Sequence, residues 1–131
     1  MNYSSTALKH FTNPNNVGRL DDASAVGQAG SPGQGNFMVV YLRVASGRVT
    51  KATFQTYGCP AAIASGSITT ELVTGRTLEE AAQVTAQTIL DALGGLPLGR
   101  AHCADLAAMA LGQALARYAF TATPSAEGGA T

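Results

Sequence analysis

Residues 37–67 read FMVVYLRVASGRVTKATFQTYGCPAAIASGS, and this stretch decides the fold because its periodicity changes near its middle. Residues 37–44 are β-branched and aromatic, Gly47 marks a tight turn, and residues 48–57 alternate between two sets of side chains. This pattern predicts an antiparallel hairpin with one half-buried face. From Pro60 onward the apolar residues recur at helical spacing, and proline suits a first helical turn because its missing N–H needs no partner there.

The segments around this hairpin predict helices and one long loop. Helices are predicted over residues 3–11, from the capping box at Thr77, over about 85–93 and over about 103–120. Residues 12–36 are polar and glycine-rich, which predicts a functional loop too irregular for a regular element. Part of this loop, within residues 17–28, is a candidate edge strand. The order predicts an α+β fold in which helices pack on one face of a small antiparallel sheet of about three strands.

Strict alternation in the second strand assigns its residues to two faces. One set falls on one face and the other set on the opposite face: Val49, Lys51, Thr53 and Gln55 alternate with Thr50, Ala52, Phe54 and Thr56. We therefore expect Val49 to share the face of Lys51.

Length and composition exclude several classes of protein. The chain has 131 residues, eight Lys and Arg against eight Asp and Glu, and only 6% aromatic residues without tryptophan. Such a chain has neither the basic patch nor the stacking surface of a nucleic-acid-binding protein. It also lacks a signal pattern and a membrane-spanning apolar run, so we expect a cytoplasmic protein that is not bound to a membrane. One domain over residues 1–120 and a disordered tail over residues 121–131 are predicted.

The chain's two cysteines are its best candidates for chemistry, because Cys59 and Cys103 each begin a predicted helix. A helix N-terminus favours a thiolate through its unpaired N–H groups and its dipole. His102 directly precedes Cys103, so convergence of the two helix starts would give a ligand set of two sulfurs and one nitrogen. That set suits zinc, iron or an iron–sulfur cluster, with a fourth position open. The alternative is that both cysteines are merely buried thiols.

Other polar residues are weaker candidates for function. We expect His10 to be a surface or packing residue, and Ser65 and Ser67 to pack or face solvent within a helix. Arg100 lies two residues before His102, where its charge would favour a thiolate or would simply be solvated.

Several motifs together make the sequence similar to the IscU/NifU family of iron–sulfur cluster scaffolds. The matching stretches are HFTNPNNVG (10–18), GSPGQGNFM (30–38), TFQTYGCPAAIASGS (53–67), TGRTLEEA (74–81) and LPLGRAHCADLA (96–107). The short connector between Cys59 and the His-Cys pair resembles the IscU/NifU branch; the zinc-binding SufU branch typically carries an insertion there. The resemblance implies an IscU/NifU-like fold and a site where a cluster is built and passed on.

The resemblance also implies which residues form this site. By position, Cys59 and Cys103 match the second and third family cysteines, His102 matches the family histidine, and Arg100 replaces the usual lysine. The family's Cys-Gly-Asp pattern, which holds the first cysteine, is here Gln34-Gly35-Asn36. Both ligand-type side chains are thus neutral amides, which offer iron little charge. We expect weaker binding of metal and cluster than in an ordinary scaffold, with Gln34 and Asn36 as auxiliary contacts at most.

The function predicted from this resemblance is cluster assembly, not enzymatic catalysis. A scaffold-like protein would bind iron, a labile 2Fe–2S cluster or zinc through Cys59, His102 and Cys103. Its expected partners are a cysteine desulfurase, iron–sulfur acceptor proteins and a second copy in a homodimer. The family's chaperone-docking motif Leu-Pro-Pro-Val-Lys is only partly kept in LPLGR (96–100), which puts chaperone-driven transfer in doubt.

Two alternatives belong to other functional classes. A degenerate paralogue would dock on the assembly machinery as a regulatory module without its own cluster. A small thiol enzyme would use Cys103 as nucleophile and His102 as base.

Overall fold

A computed structural model describes residues 3–31, 35–97 and 99–122. In chain order its elements are α1 (Ser5–Thr12), β1 (Ala25–Gly30), β2 (Phe37–Ala45), β3 (Arg48–Tyr57), α2 (Pro60–Val73), α3 (Leu78–Ala81), α4 (Ala86–Leu93) and α5 (His102–Ala122). The predicted α+β architecture is confirmed.

The sheet is antiparallel, and its three strands follow the order β1-β2-β3. Ser46 and Gly47 connect β2 to β3 with φ values of 54° and 74°. Two consecutive positive φ angles are typical of the type I′ turn, whose twist matches that of the flanking strands. The predicted hairpin and its turn at Gly47 are therefore confirmed.

Strand β1 corrects the prediction that residues 12–36 are too irregular for a regular element. It lies at the edge of the sheet and overlaps the candidate edge strand within residues 17–28 over residues 25–28. Its sequence, AVGQAG, is poor in the β-branched residues that identify strands. The reason is close packing: a Cβ on Gly27 would lie 2.1 Å from the carbonyl oxygen of Ala110 in α5. Small residues let the helix backbone approach the strand. Because they have low β-propensity, a prediction from the sequence does not recognise the strand.

A β-bulge corrects the predicted faces of β3. The register between β2 and β3 shifts at Arg43/Val44, so that Arg43 pairs with Lys51 while Val44 pairs with Val49. Because a bulge adds one residue to a strand, Val49 is buried together with Ala52 and Phe54 rather than exposed with Lys51.

Helix α2 lies at the centre of the molecule and is buried around most of its circumference. It contacts β3, α1, α4 and α5, which explains its many small residues. A Cβ on Gly66 would lie 2.3 Å from the ring of Phe54, so glycine is needed for this helix to pack on the sheet. Ser65 and Ser67 are fully buried, so the packing alternative is the correct one for both.

The remaining helices begin and end where local chemistry predicts. Thr77 and Glu80 form the predicted capping box of α3. Gly94, in the left-handed conformation, ends α4 as predicted. Helix α5 runs to Ala122, beyond the predicted end near residue 120, and residues 123–131 of the predicted tail lie outside the described residues. Within the described chain, no helix is both long enough and apolar enough to cross a membrane.

Candidate functional site

The structure brings the two cysteines together at the starts of α2 and α5. Cys59 is the N-cap residue of α2, and Cys103 is the second residue of α5. Their Sγ atoms lie 3.5 Å apart. Cys103 is fully buried in a small cluster with Ala61 and Ala62, whereas Cys59 is partly exposed. The two helix starts therefore converge, which is the condition on which the candidate ligand set depends.

His102 and Asn36 complete this group of polar side chains. His102 Nε2 lies 3.7 Å from Cys103 Sγ, and its side chain is exposed at the start of α5. Asn36, just before β2, places Nδ2 3.4 Å from Cys103 Sγ and 3.4 Å from His102 Nε2. We call these four residues, Asn36, Cys59, His102 and Cys103, the thiol cluster.

Gly58 makes room for the amide of the thiol cluster. A Cβ at Gly58 would lie 2.5 Å from Asn36 Oδ1 and 3.0 Å from the Cβ of Ala62. The Gly-Cys sequence at the end of β3 thus has a packing reason, because a larger residue before Cys59 would displace Asn36 from the cysteines.

The pKa values of the two thiols are shifted in opposite directions. At Cys59 partial burial opposes ionisation, but hydrogen bonds from the N–H groups of Ala62 and Ala61, contact with the Cys103 thiol and the charge of Arg100 leave its pKa lowered. Burial, together with the hydrogen bond and charge of Cys59, raises the pKa of Cys103 to about 12. The prediction that a helix start favours a thiolate is wrong for Cys103, because burial outweighs the helix dipole there.

The two other predicted auxiliary residues have different outcomes. Arg100 is exposed, and its charge favours the thiolate form of both cysteines, as the electrostatic alternative predicted, although burial and the neighbouring Cys59 leave the pKa of Cys103 raised. Gln34 lies outside the described residues, so its predicted auxiliary contact stays a prediction.

No group of three or more His, Cys, Asp or Glu side chains is already arranged to hold a metal ion within residues 3–31, 35–97 and 99–122. The thiol cluster offers two sulfurs and one imidazole nitrogen, joined by the close contacts above, and its fourth member is a neutral amide. The ligand roles of Cys59, His102 and Cys103 therefore remain predictions.

An uncharged surface beside the thiol cluster was missed by sequence reasoning. Tyr57 is 74% exposed and stacks on Phe37, and Val17 is 59% exposed. With Val39, Gln55 and Thr56 they line a groove of about 240 Å³. One feature of the sequence could have indicated this surface: Tyr57 directly precedes Gly58-Cys59, and Phe37 directly follows Asn36. We call this surface the tyrosine groove.

Comparison with known sequences identifies the family of this chain. The profile of the NifU-like N terminal domain matches residues 2–123, nearly the whole chain. The chain belongs to this family. The family predicted from the motifs is thereby confirmed.

Several named proteins are similar to this chain over most of its length. The iron-sulfur cluster assembly scaffold protein IscU 1 of Archaeoglobus fulgidus is 46% identical over 116 residues, 88% of this chain and 76% of that protein. IscU of Azotobacter vinelandii is 40% identical over 122 residues, 90% of this chain and 94% of that protein. The nitrogen fixation protein NifU of Cereibacter sphaeroides is 47% identical over 112 residues, which are 86% of this chain but only 46% of that longer protein.

Solved structures show that the fold is that of the family. A putative iron-sulfur cluster assembly scaffold for the SUF system from Fervidobacterium islandicum superposes with a TM-score of 0.69 at 21% identity, covering 86% of this chain and 96% of that one. The N-terminal part of a NifU-like protein from Brucella abortus gives a TM-score of 0.66 at 23% identity, covering 89% and 94%. At these identities the likeness concerns the fold alone.

Proposed function

We propose that this NifU-like domain is a scaffold-like protein of iron–sulfur cluster assembly that holds iron or a labile 2Fe–2S cluster as its substrate. Cys59, His102 and Cys103 would be the ligands. The observation that carries the proposal is the contact of the two sulfurs at 3.5 Å, with His102 Nε2 3.7 Å from Cys103 Sγ. The names of the relatives, which are called assembly scaffolds, support the same role.

These distances are close to those between ligands of one tetrahedral metal ion. With metal–sulfur bonds of about 2.3 Å and metal–nitrogen bonds of about 2.05 Å, tetrahedral geometry separates two sulfurs by about 3.8 Å and a sulfur from a nitrogen by about 3.6 Å. The two contacts measured here differ from these separations by a few tenths of an ångström. We propose that side-chain rotations at the two helix starts complete the ligand geometry when a metal binds.

The charge and number of ligands favour weak binding. Asn36 directs an amide N–H toward Cys103 Sγ, a donor where a family aspartate would present an anionic oxygen. A cluster of two irons needs about four good ligands, and the chain offers three. A second copy sharing the cluster would complete the set, so we propose a homodimer as the cluster-bound form. Zinc, which accepts three protein ligands and a water, is the alternative metal.

The proposed scaffold role implies partners of defined chemistry. A cysteine desulfurase would deliver sulfur to a thiol of the cluster, and iron–sulfur acceptor proteins would receive the product. We place this activity in the cytoplasm.

The first test is the content of iron, zinc and acid-labile sulfide per chain after anaerobic purification without reconstitution. We expect iron and sulfide in comparable amounts, and loss of both in Cys59→Ser because one of the two thiolate ligands is removed. Glu79→Gln, which removes an exposed carboxylate on α3, is the control and should keep the wild-type content. Unchanged metal in Cys59→Ser would contradict the proposal, and zinc without sulfide would replace the cluster by a mononuclear site.

A docking module without a cluster is the second candidate function. The contacts of Asn36 Nδ2 with Cys103 and His102, together with the exposed Tyr57 and Val17 beside them, favour it. A pull-down of a cysteine desulfurase with metal-free protein distinguishes the two functions. Binding that survives Cys59→Ser and Cys103→Ser but is lost in Tyr57→Ser would support the docking module. Binding that depends on the cysteines would support the scaffold.

A further inference from the structure

The spacing and unequal exposure of the two thiols point to an activity besides ligation. We propose that Cys59 and Cys103 form a dithiol pair that reduces sulfane sulfur to sulfide: Cys59 carries the sulfur as a persulfide, and Cys103 releases it by forming a Cys59–Cys103 disulfide. The proposal rests on the proposed function only for the source of the sulfur, which would be a desulfurase.

The first argument is the distance between the two sulfur atoms. Cys59 Sγ and Cys103 Sγ are 3.5 Å apart, and a disulfide bond is about 2.05 Å long, so bond formation needs an approach of about 1.5 Å. Both residues sit at the starts of helices that pack on each other. Two reacting groups held in this way react far faster than the same groups free in solution.

The second argument is the difference in access. Cys59 is partly exposed and can meet an incoming sulfur donor, whereas Cys103 has no exposed surface. A persulfide therefore forms on Cys59, which leaves the inner sulfur of that persulfide beside Cys103. The buried thiol is in place to attack the inner sulfur while the outer sulfur faces the open side of the site.

The reaction balances without a further reagent. Cys103 Sγ donates an electron pair to Cys59 Sγ, the new S–S bond forms, and the bond from Cys59 Sγ to the outer sulfur breaks. The outer sulfur leaves with that bond's electrons as sulfide, so it is reduced by two electrons while the two thiol sulfurs are oxidised to a disulfide. Because Cys103 attacks as a thiolate, its proton first passes to His102 Nε2, 3.7 Å away, and is then transferred to the departing sulfide.

This activity would make the thiol cluster alternate between a dithiol state and a disulfide state. The dithiol state offers its sulfurs to iron, and the disulfide state, formed once sulfide has been released, offers none. A low-molecular-weight thiol or a protein dithiol must then restore the pair for another cycle.

The test uses the full chain, free of metal and in the presence of a chelator. The protein is loaded anaerobically with inorganic polysulfide and desalted rapidly. Sulfide release is followed with time, and intact mass and peptide mapping without reductant identify the products. We expect wild-type protein to release one sulfide per chain and to become the Cys59–Cys103 disulfide, at a rate independent of protein concentration.

Variants separate this reaction from other sources of sulfide. Cys103→Ser should keep its persulfide on Cys59 and release no sulfide, and Cys103→Ala, which fits among Ala61 and Ala62, should behave identically if the serine variant fails to fold. Glu79→Gln should release sulfide like the wild type. A wild-type persulfide as long-lived as that of the Cys103 variants would overturn the proposal, as would release without an intramolecular disulfide. Because the assay excludes metal, a chain that reduces sulfur but binds no iron would contradict the proposed function and leave this inference standing.

Discussion

The two histidines of this domain lie beside the same helix, α2, in opposite chemical situations. His10 is buried, with Nδ1 2.7 Å from Ser67 Oγ and Nε2 3.8 Å from Glu71 Oε1. His102 is exposed near the N-terminal end of α2, where Cys59 caps the helix, and it contacts Asn36 and Cys103 at 3.4 and 3.7 Å. One histidine lies in the interior of a polar network, and the other lies at an open edge.

The residues around His10 are all linked to one another by hydrogen bonds or ion pairs. Ser67 Oγ also accepts a hydrogen bond from the backbone N–H of Asn15, and the amide of Asn15 donates to Glu71. These bonds fasten α1 and the segment after it to α2. The contacts within the thiol cluster are 3.4–3.7 Å long, and three of its four members, Asn36, Cys59 and His102, are exposed or partly exposed. The comparison teaches that a buried polar group stabilises the fold when its hydrogen bonds are satisfied within the protein. Side chains at the surface whose hydrogen bonds are not all satisfied, such as those of the thiol cluster, are available to bind a ligand.

The difference in reactivity between Cys59 and Cys103 is the sharpest test of the unequal environments within the thiol cluster. Iodoacetamide should alkylate Cys59 at least ~100-fold faster than Cys103 in folded, metal-free protein near neutral pH, because only the thiolate reacts. The pKa of Cys59 is lowered, and that of Cys103 is raised to about 12. As pH rises, Cys59 should become reactive before an ordinary thiol does, and Cys103 well after. Mass spectrometry of quenched samples gives both rates, and equal rates in folded protein would contradict the prediction.

The network around His10 should respond to substitution with a loss of stability. Ser67→Ala leaves the N–H of Asn15 and the ring of His10 without their shared partner, which should lower the free energy of unfolding by about 1–3 kcal/mol. Urea unfolding followed by circular dichroism measures this change. Ser5→Ala, an exposed serine in α1, is the matched control and should change stability by less than about 0.5 kcal/mol. Equal effects of the two substitutions would show that the network does not stabilise the fold.

The thiol cluster should bind iron and sulfide more tightly when the cysteine and the aspartate expected from the family are introduced. Gln34→Cys with Asn36→Asp supplies a third thiol and a carboxylate, so we expect about tenfold more iron and sulfide to be retained per chain than in the wild type. Anaerobic metal and sulfide analysis after dialysis against a chelator measures the gain. Glu79→Gln serves as the control for changes unrelated to the site, and a double variant that retains no more iron would contradict the assigned ligand positions.

The smallest expected change concerns the stability of a variant at His102. Because the side chain is exposed at the start of α5, His102→Ala should change the free energy of unfolding by less than about 0.5 kcal/mol while it lowers the iron content. His10→Ala is the counterpart and should destabilise the protein without altering the ligands. A large loss of stability in His102→Ala, measured by urea unfolding, would remove the distinction between the two histidines.

Much of the fold could be predicted from sequence because local chemistry specifies it. The hairpin turn at Ser46-Gly47, the capping box at Thr77 and the glycine end of α4 each follow from residues within a few positions of one another. The position of strand β1, of which only a candidate edge within residues 17–28 was indicated, and the burial of Val49 could not be predicted in this way. The first depends on close approach of α5 at Gly27, and the second depends on a register shift against β2.

The site divides along the same line. Motifs in the sequence were sufficient to indicate the family. They also selected Cys59, His102 and Cys103 as candidates and predicted that Gln34 and Asn36 stand where the family has a cysteine and an aspartate, because these are matters of residue identity. Only the tertiary structure decided that the sulfurs lie 3.5 Å apart, that Cys103 is buried while Cys59 is partly exposed, and that Asn36 contacts both His102 and Cys103. Distances and burial between residues 44 positions apart depend on how α2 and α5 pack, and no local pattern of residues carries that information.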